Sequence, residues 1–376
     1  MGTIRSLIKP GLLWALALLC NVAAGAGNDL RTELVAQGFQ NPWGLAFIGG
    51  GRMLVTERPG RLRVVQPDGR IGPPVEGLPR IEATGQGGLL DVVTDRDFAR
   101  NRTVYFCYSE PAQSGASGNS TALASARLSD DASRLEGVKV LFSQRPKVVS
   151  RAHFGCRIVD ADANTLFLTL GDRYSRKDDA QTLDNHLGKI VRLLKKDGSA
   201  PADNPLVKKP GALPEIWSYG HRNLQGATLG PDGRLWTIEH GPQGGDELNH
   251  PEAGKNYGWP VITYGENYGG GAIGAGITQQ AGLEQPVHYW VPSIAPSGMA
   301  FVSSDRYGKD WQGNLLVGSL KFGYVARLQL ANGQVQEEDK LLPDLKQRVR
   351  DVRQGPDGFI YLLTDSSKGQ LLRLLP

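Results

Sequence analysis

Long apolar runs are scarce in this chain. The most apolar stretch, Gly11–Cys20 (GLLWALALLC), holds ten residues, and a helix that crosses a bilayer needs about 20. No segment has the spacing of a long amphipathic helix, so a helical bundle is not expected. No GxGxxG lies between a strand and a helix, which argues against a dinucleotide-binding unit. The six histidines form no HExxH pair, leaving zinc without specific support. The acidic residues do not follow the EF-hand spacing. Cysteine is equally sparse, at three in 376 residues.

The short apolar run has another use. Arg5 and Lys9 precede it, and Ala24-Gly25-Ala26 follows it as a small-x-small site. Residues 1–26 therefore read as a secretory signal peptide, cleaved near Ala26. Leu19 is too bulky for the position before a lipid-modified cysteine. Cleavage removes Arg5, Lys9 and no acid, so the formal charge falls from +4 to +2. A surface so nearly balanced is no footprint for nucleic acid. Export also allows a disulfide between the remaining Cys107 and Cys156, whose geometry the sequence does not reveal.

What the chain has in excess is glycine, 49 residues or about 13% against a usual ~7%. The glycines punctuate a recurring strand–turn–strand unit at residues 43–69, 87–110, 157–173, 226–241, 298–330 and 350–375. Asp232-Gly233 and Asp357-Gly358 suit tight hairpins, because glycine tolerates positive φ. Six units predict an all-β, six-bladed propeller of four-stranded antiparallel blades over residues 27–376, in preference to a sandwich pair or a β-helix. Closing the ring needs an extra partner for the last blade, and the strand at 31–36 is the candidate. Residues 111–120 and 195–214 read as loops, and the Gly-rich stretch 264–285 as a loop on the functional face.

Polar residues gather at the ends of these strands. His153 and Asp172 flank the third unit, where the carboxylate could hold the imidazole as a proton acceptor or the two could form a structural pair. Arg222-Asn223 enters the fourth unit; the guanidinium suits an oxyanion, a carboxylate or an inter-blade ion pair. Gln86 offers an amide donor or a turn residue. Lys321, Arg348 and Arg350 fit an anionic cofactor or a solvated face. Residues 238–260 (IEHGPQGGDELNHPEAGKNYGWP) combine Asp246 and Glu247 with Gly and Pro, whose carbonyls are easily approached. That composition suits calcium, or a turn with solvated acids.

In this order NPWGLAF (41–47), GQGGLLDV (85–92), HFGCRIV (153–159), LGDR (170–173), YGHRNLQG (219–226), EHGPQGGDELN (239–249), KNYGWP (255–260), APSGMAF (295–301), SLKFGYVARL (319–328) and RVRDV (348–352) resemble the soluble quinoprotein glucose/sorbosone dehydrogenases. The resemblance is nearest their periplasmic aldose sugar dehydrogenase branch and spans almost the whole mature chain. It implies bound pyrroloquinoline quinone (PQQ) and Ca2+, oxidation of aldose sugars to lactones, and electrons passed to an external acceptor. His153 then matches the base and Asp172 its partner. Gln86, Arg222, Asn223, Lys321, Arg348 and Arg350 match cofactor and active-centre positions. The carbonyls of Gly241 and Pro242 match the ligands of the cofactor's calcium, with Asp246 nearby. Glu247 and the Tyr257 carbonyl resemble ligands of a further structural calcium. Glucose-specific relatives have an aromatic mouth before a Pro-Thr pair. Here Val291 and Ser293 stand in HYWVPSIAPSG (288–298), which implies a broader range of aldoses. Two other functions stay open on residues alone: a non-catalytic propeller that binds a glycan or protein, and a calcium-dependent lactonase-like hydrolase.

Overall fold

The computed structural model describes residues 1–2 and 30–376. The predicted signal peptide falls almost wholly outside the described residues. Among them, no helix is long and apolar enough to cross a membrane.

The described residues form six four-stranded antiparallel sheets. Their inner strands are Pro42–Phe47, Leu89–Thr94, Gly155–Asp160, Leu224–Leu229, Pro296–Phe301 and Val349–Gln354, in blades 1 to 6. Each inner strand packs against its neighbours, and the sixth returns to the first. The ring closes as expected: Arg31–Phe39 pairs antiparallel with the C-terminal Gly369–Leu375, so one blade holds both ends of the described ring. Closure leaves that last edge paired rather than open to another chain.

The recurring sequence units captured the inner two strands of each blade. The outer strands were less legible, because half of their residues face water. Gln334–Leu341, for example, is mostly polar and buries only Leu341 fully. Apolar clusters fill every interface between adjacent blades. The ring is thus a chain of sheet-on-sheet contacts, in which each strand face needs a partner on the next blade.

Two features aim side chains at the axis. Every inner strand carries a register shift near its start, at Pro42/Leu45, Leu89/Val92, Gly155/Ile158, Leu224/Gly226, Pro296/Met299 and Val349/Asp351. Such bulges re-aim side chains and recur beside functional sites. Below them the channel is plugged by charge. Arg157 Nη1 lies 3.2 Å from Asp91 and 3.0 Å from Asp351, and Arg353 reaches the same two carboxylates at 2.8 and 3.0 Å. Glycines on the other inner strands make room. A Cβ on Gly298 would sit 2.1 Å from Asp351 Oδ1, and one on Gly44 2.9 Å from Asp91 Oδ1.

Cys107 and Cys156 form a disulfide that ties blade 2 to the inner strand of blade 3. The bond closes a loop with a sequence separation of 49, for which the chain-entropy model predicts about 4 kcal/mol. The Cys107→Ser/Cys156→Ser variant therefore unfolds at a clearly lower urea midpoint than the oxidised protein. Coincident unfolding curves would show that the bond contributes nothing.

Candidate active site

Above the charged plug lies a cavity of about 220 Å3. It collects Gln86 and Gly85 from the loop before blade 2, Phe154 and Gly155 from blade 3, Asn223 and Gln225 from blade 4, and Arg348 and Arg350 from blade 6. Trp43, Arg58, His240 and Asp365 complete the polar and aromatic wall. Three arginines and one carboxylate thus share the wall of one cavity. Asp365 accepts from Arg350 at 2.7 Å and Arg348 at 3.3 Å. Although burial pushes its carboxyl up, those charges and hydrogen bonds hold it well below the usual range. Arg350 Nη1 also donates to Gln225 Oε1 at 3.0 Å, but its buried Nε has no partner. Burial pushes His240 down to about 3, so it stays neutral. Its Nε2–H donates to the Pro296 carbonyl at 2.6 Å.

A second cavity of about 280 Å3 opens beside the first. His153, Asp172, Arg222, Pro242 and Trp259 form its inner wall, with Tyr174, Lys177, Asn267, Tyr268 and Ile273 toward the outside. The cavities meet along two peptide links, His153–Phe154 and Arg222–Asn223. Gln86 Oε1 also accepts the His153 N–H at 2.8 Å. That bond leaves the Gln86 amide N–H groups as donors for the first cavity.

His153 and Asp172 are both buried, and His153 Nδ1 lies 2.6 Å from Asp172 Oδ1. Burial pushes the His153 imidazole below its ordinary value; Asp172 opposes this, while Arg222 and Arg173 reinforce it. Burial pushes Asp172 up, but hydrogen bonding and charge from His153, with Arg222 and the Tyr174 N–H, outweigh it and hold the carboxyl down. The pair is therefore a neutral imidazole on a carboxylate. Nδ1–H donates to Asp172, and Nε2 is left as a proton acceptor. Arg222 Nη1 donates to the carbonyls of His240 at 3.0 Å and Gly241 at 2.7 Å, while its buried Nε has no partner.

The predicted calcium segment folds into two separate arrangements. Asp246 accepts from the N–H groups of Gly241, Ile294 and Ala295 and from Ser293 Oγ, at 2.7 to 3.0 Å. It braces the loop that presents the Gly241 and Pro242 carbonyls. One strand position later, Glu247 pairs with Glu239 across the sheet. Burial and the Glu239 charge push Glu247 up to about 8. Glu239 already accepts from His221, Asn249 and the Arg222 N–H. The buried Asn249 Oδ1 finds no donor. So many acceptors in one buried place call for a proton or a cation. Tyr257 stacks on His221 nearby, with centroids 4.9 Å apart. Among the described residues, no group of three or more His, Cys, Asp or Glu side chains is set to hold a metal. A cation here would draw on carbonyl oxygens as well.

Not every predicted residue joins the site. Lys321 is exposed, its Nζ 5.1 Å from the Phe322 ring centroid, and lines neither cavity. Val291 and Ser293 do not line the His153 cavity; Val291 is 62% exposed and Ser293 is tied to Asp246. The mouth instead has two tyrosines, Tyr174 and Tyr268. Sequence reasoning also missed Arg58, Trp43, Glu239 and Trp259. All but Arg58 lie inside segments whose likeness was already noted, yet nothing in their spacing marks them.

The profile of the glucose/sorbosone dehydrogenase family matches residues 39–373. The chain belongs to this family. As a glucose/sorbosone dehydrogenase family member it is an oxidoreductase. It is 44% identical over 364 residues to the aldose sugar dehydrogenase YliI of Escherichia coli K12, covering 96% of this chain and 97% of that protein. Quinoprotein glucose dehydrogenase B of Acinetobacter calcoaceticus is 26% identical over 422 residues, covering 92% and 87%. The apo crystal structure of the soluble Escherichia coli aldose sugar dehydrogenase superposes with a TM-score of 0.88, at 44% identity, over 92% of this chain and 99% of that one. The PQQ-bound aldose sugar dehydrogenase of Streptomyces coelicolor gives 0.74 at 25% identity, over 92% and 98%.

Proposed function

We propose that this protein is an exported, PQQ- and calcium-dependent dehydrogenase that oxidises aldoses at the anomeric carbon to lactones and passes the electrons to an external acceptor. The observation that carries the reading is a three-arginine, one-carboxylate cavity opening beside a buried neutral His–Asp pair. PQQ is a tricarboxylate, and the unpartnered Nε groups of Arg222 and Arg350 suit an anionic guest. Relatives named as a quinoprotein and as a PQQ-bound enzyme support the same choice.

Arg58, Arg348 and Arg350 would hold the acidic groups, with Gln86 and Asn223 donating to polar atoms. Bound there, the quinone supplies the acceptor for the hydride that leaves the sugar. His153 Nε2 takes the proton of the anomeric hydroxyl, and Asp172 stabilises the imidazolium that forms. Arg222, fixed by two carbonyls, stabilises negative charge that develops beside it. Gly241 and Pro242 would present carbonyls to the calcium that accompanies the cofactor. Glu247 and the Tyr257 carbonyl would hold a second. Adding PQQ and Ca2+ to the purified protein yields a quinone absorption band that an aldose changes to the reduced form. Failure to bind PQQ would overturn the proposal.

The second calcium has its own test. Burial and the Glu239 charge favour the uncharged form of Glu247 when no cation is bound, and glutamine has the shape of that form, so Glu247→Gln preserves the fold. Ca2+ at about 100 times its dissociation constant stabilises the unsubstituted protein by about 2.7 kcal/mol. This reading expects that gain, seen as a rise in Tm, to shrink in the variant; an equal rise in both would remove Glu247 from the site.

Breadth toward aldoses rests on the mouth. Tyr174 and Tyr268 are 55% and 63% exposed, so a distant sugar hydroxyl meets water whichever way it points. Strong discrimination needs buried polar groups that a wrong substrate leaves unpaired. Values of kcat/KM for glucose, galactose, xylose and maltose accordingly stay well within about 10⁴ of one another. A larger preference for glucose would contradict this.

A further inference from the structure

We propose that Trp259 is a positioning residue: its indole N–H holds the Asp172 carboxylate in the orientation that makes His153 a base. The inference extends the dehydrogenase reading and rests on it for the role of His153. Asp172 has two oxygens, and both are engaged. Oδ1 meets His153 Nδ1 at 2.6 Å and the Tyr174 N–H at 2.8 Å. Oδ2 takes the Trp259 indole N–H at 2.8 Å. Without that third bond the carboxylate could rotate about its last torsion, a broad and soft one, and His153 would lose its fixed tautomer. The donor is itself held in place. Trp259 is only 8% exposed, and its ring packs with Ala180 and with Ile273 of the glycine-rich loop. Its carbonyl accepts from Gln181 Nε2 at 2.7 Å. The Arg222 guanidinium carbon lies 5.2 Å from the ring centroid, so one side chain touches both the partner of the base and the cation beside it. Ile273 lines the mouth of the same cavity, which connects the loop around the substrate to the carboxylate behind the base.

The charged and titratable groups around the pair are Arg222, Arg173, Lys189, Lys177, Tyr174 and His240. None replaces the indole donor on Oδ2. Removing that donor leaves more negative charge on Asp172, so the His153–Asp172 pair takes up its proton at higher pH. The test uses the full chain. In Trp259→Phe, the His153 imidazole followed by NMR titrates above the unsubstituted protein, without any cofactor. The PQQ-loaded variant loses about tenfold in kcat with little change in KM. Ile273→Ala, which loosens the ring but keeps the N–H, does not move the titration. An unshifted titration in Trp259→Phe would overturn the inference. If that variant does not fold, the unsubstituted protein decides the matter: a Trp259 indole proton that exchanges freely with water and ignores the His153 titration overturns it, and a protected, responsive one upholds it. The NMR measurement does not depend on sugar oxidation, so failure of the dehydrogenase reading shows separately, as an inactive unsubstituted protein.

Discussion

His153→Ala lowers kcat by about a thousandfold while PQQ binding, read from its absorption band, stays intact. The imidazole lies in the second cavity beside the arginine-lined one and makes no hydrogen bond to those arginines, so its loss removes the proton acceptor and little else. Normal turnover in a fully loaded variant would cost His153 its role. The same geometry sets a pH dependence. Burial holds the imidazole below its ordinary value of 6.5, and the neutral form is the active one. The acid limb of kcat/KM therefore has its midpoint below 6.5. Activity falls only at lower pH, where the buried ring finally takes a proton. An acid limb of kcat/KM with its midpoint above 6.5 would contradict this assignment.

Arg157→Met destabilises the protein by about 3–5 kcal/mol. Arg157 is 1% exposed and bridges Asp91 and Asp351. Methionine fills part of its volume but leaves two buried carboxylates sharing Arg353 alone. The damage also travels upward. Arg157 Nε donates to the Gln225 carbonyl at 2.7 Å and Nη2 to the Arg350 carbonyl at 3.1 Å, and both residues line the arginine-rich cavity. The variant is therefore expected to bind PQQ more weakly even where it is fully folded. Urea unfolding measures the first effect and titration with PQQ the second. A variant as stable as its parent would show that the plug is a passive filling.

Gln86, Asn223, Arg348 and Arg350 were legible as candidates for one cavity because polar side chains at the starts of repeat strands have one common destination, the end of the channel. The ring strand Arg31–Phe39 was legible because a propeller's last blade needs a partner. Lys321 has the same position in its repeat, at a strand end, yet the turn before Tyr324 carries it to the surface. The lining of the His153 cavity's mouth was illegible for a similar reason. Its residues come from the long loop after blade 4's third strand and from the loop after Leu170, and loop paths obey no period that a sequence shows.

By itself the sequence determined the strand-forming units, their number, and the histidine, carboxylate and cationic side chains available for chemistry. Period-two alternation and turn residues are local properties, so they can be read locally. The tertiary structure alone decided which charges neutralise one another and which stay free for a ligand. Arg157 and Arg353 are spent on Asp91 and Asp351 inside the plug, whereas in the cavity above Arg348 and Arg350 share Asp365 and Arg58, on the same wall, pairs with no carboxylate among the described residues. It likewise decided that Trp259, 87 residues from Asp172 in the chain, supplies the bond behind the base. Pairings of this kind depend on distances across the ring, and such distances exist only once all six blades have closed.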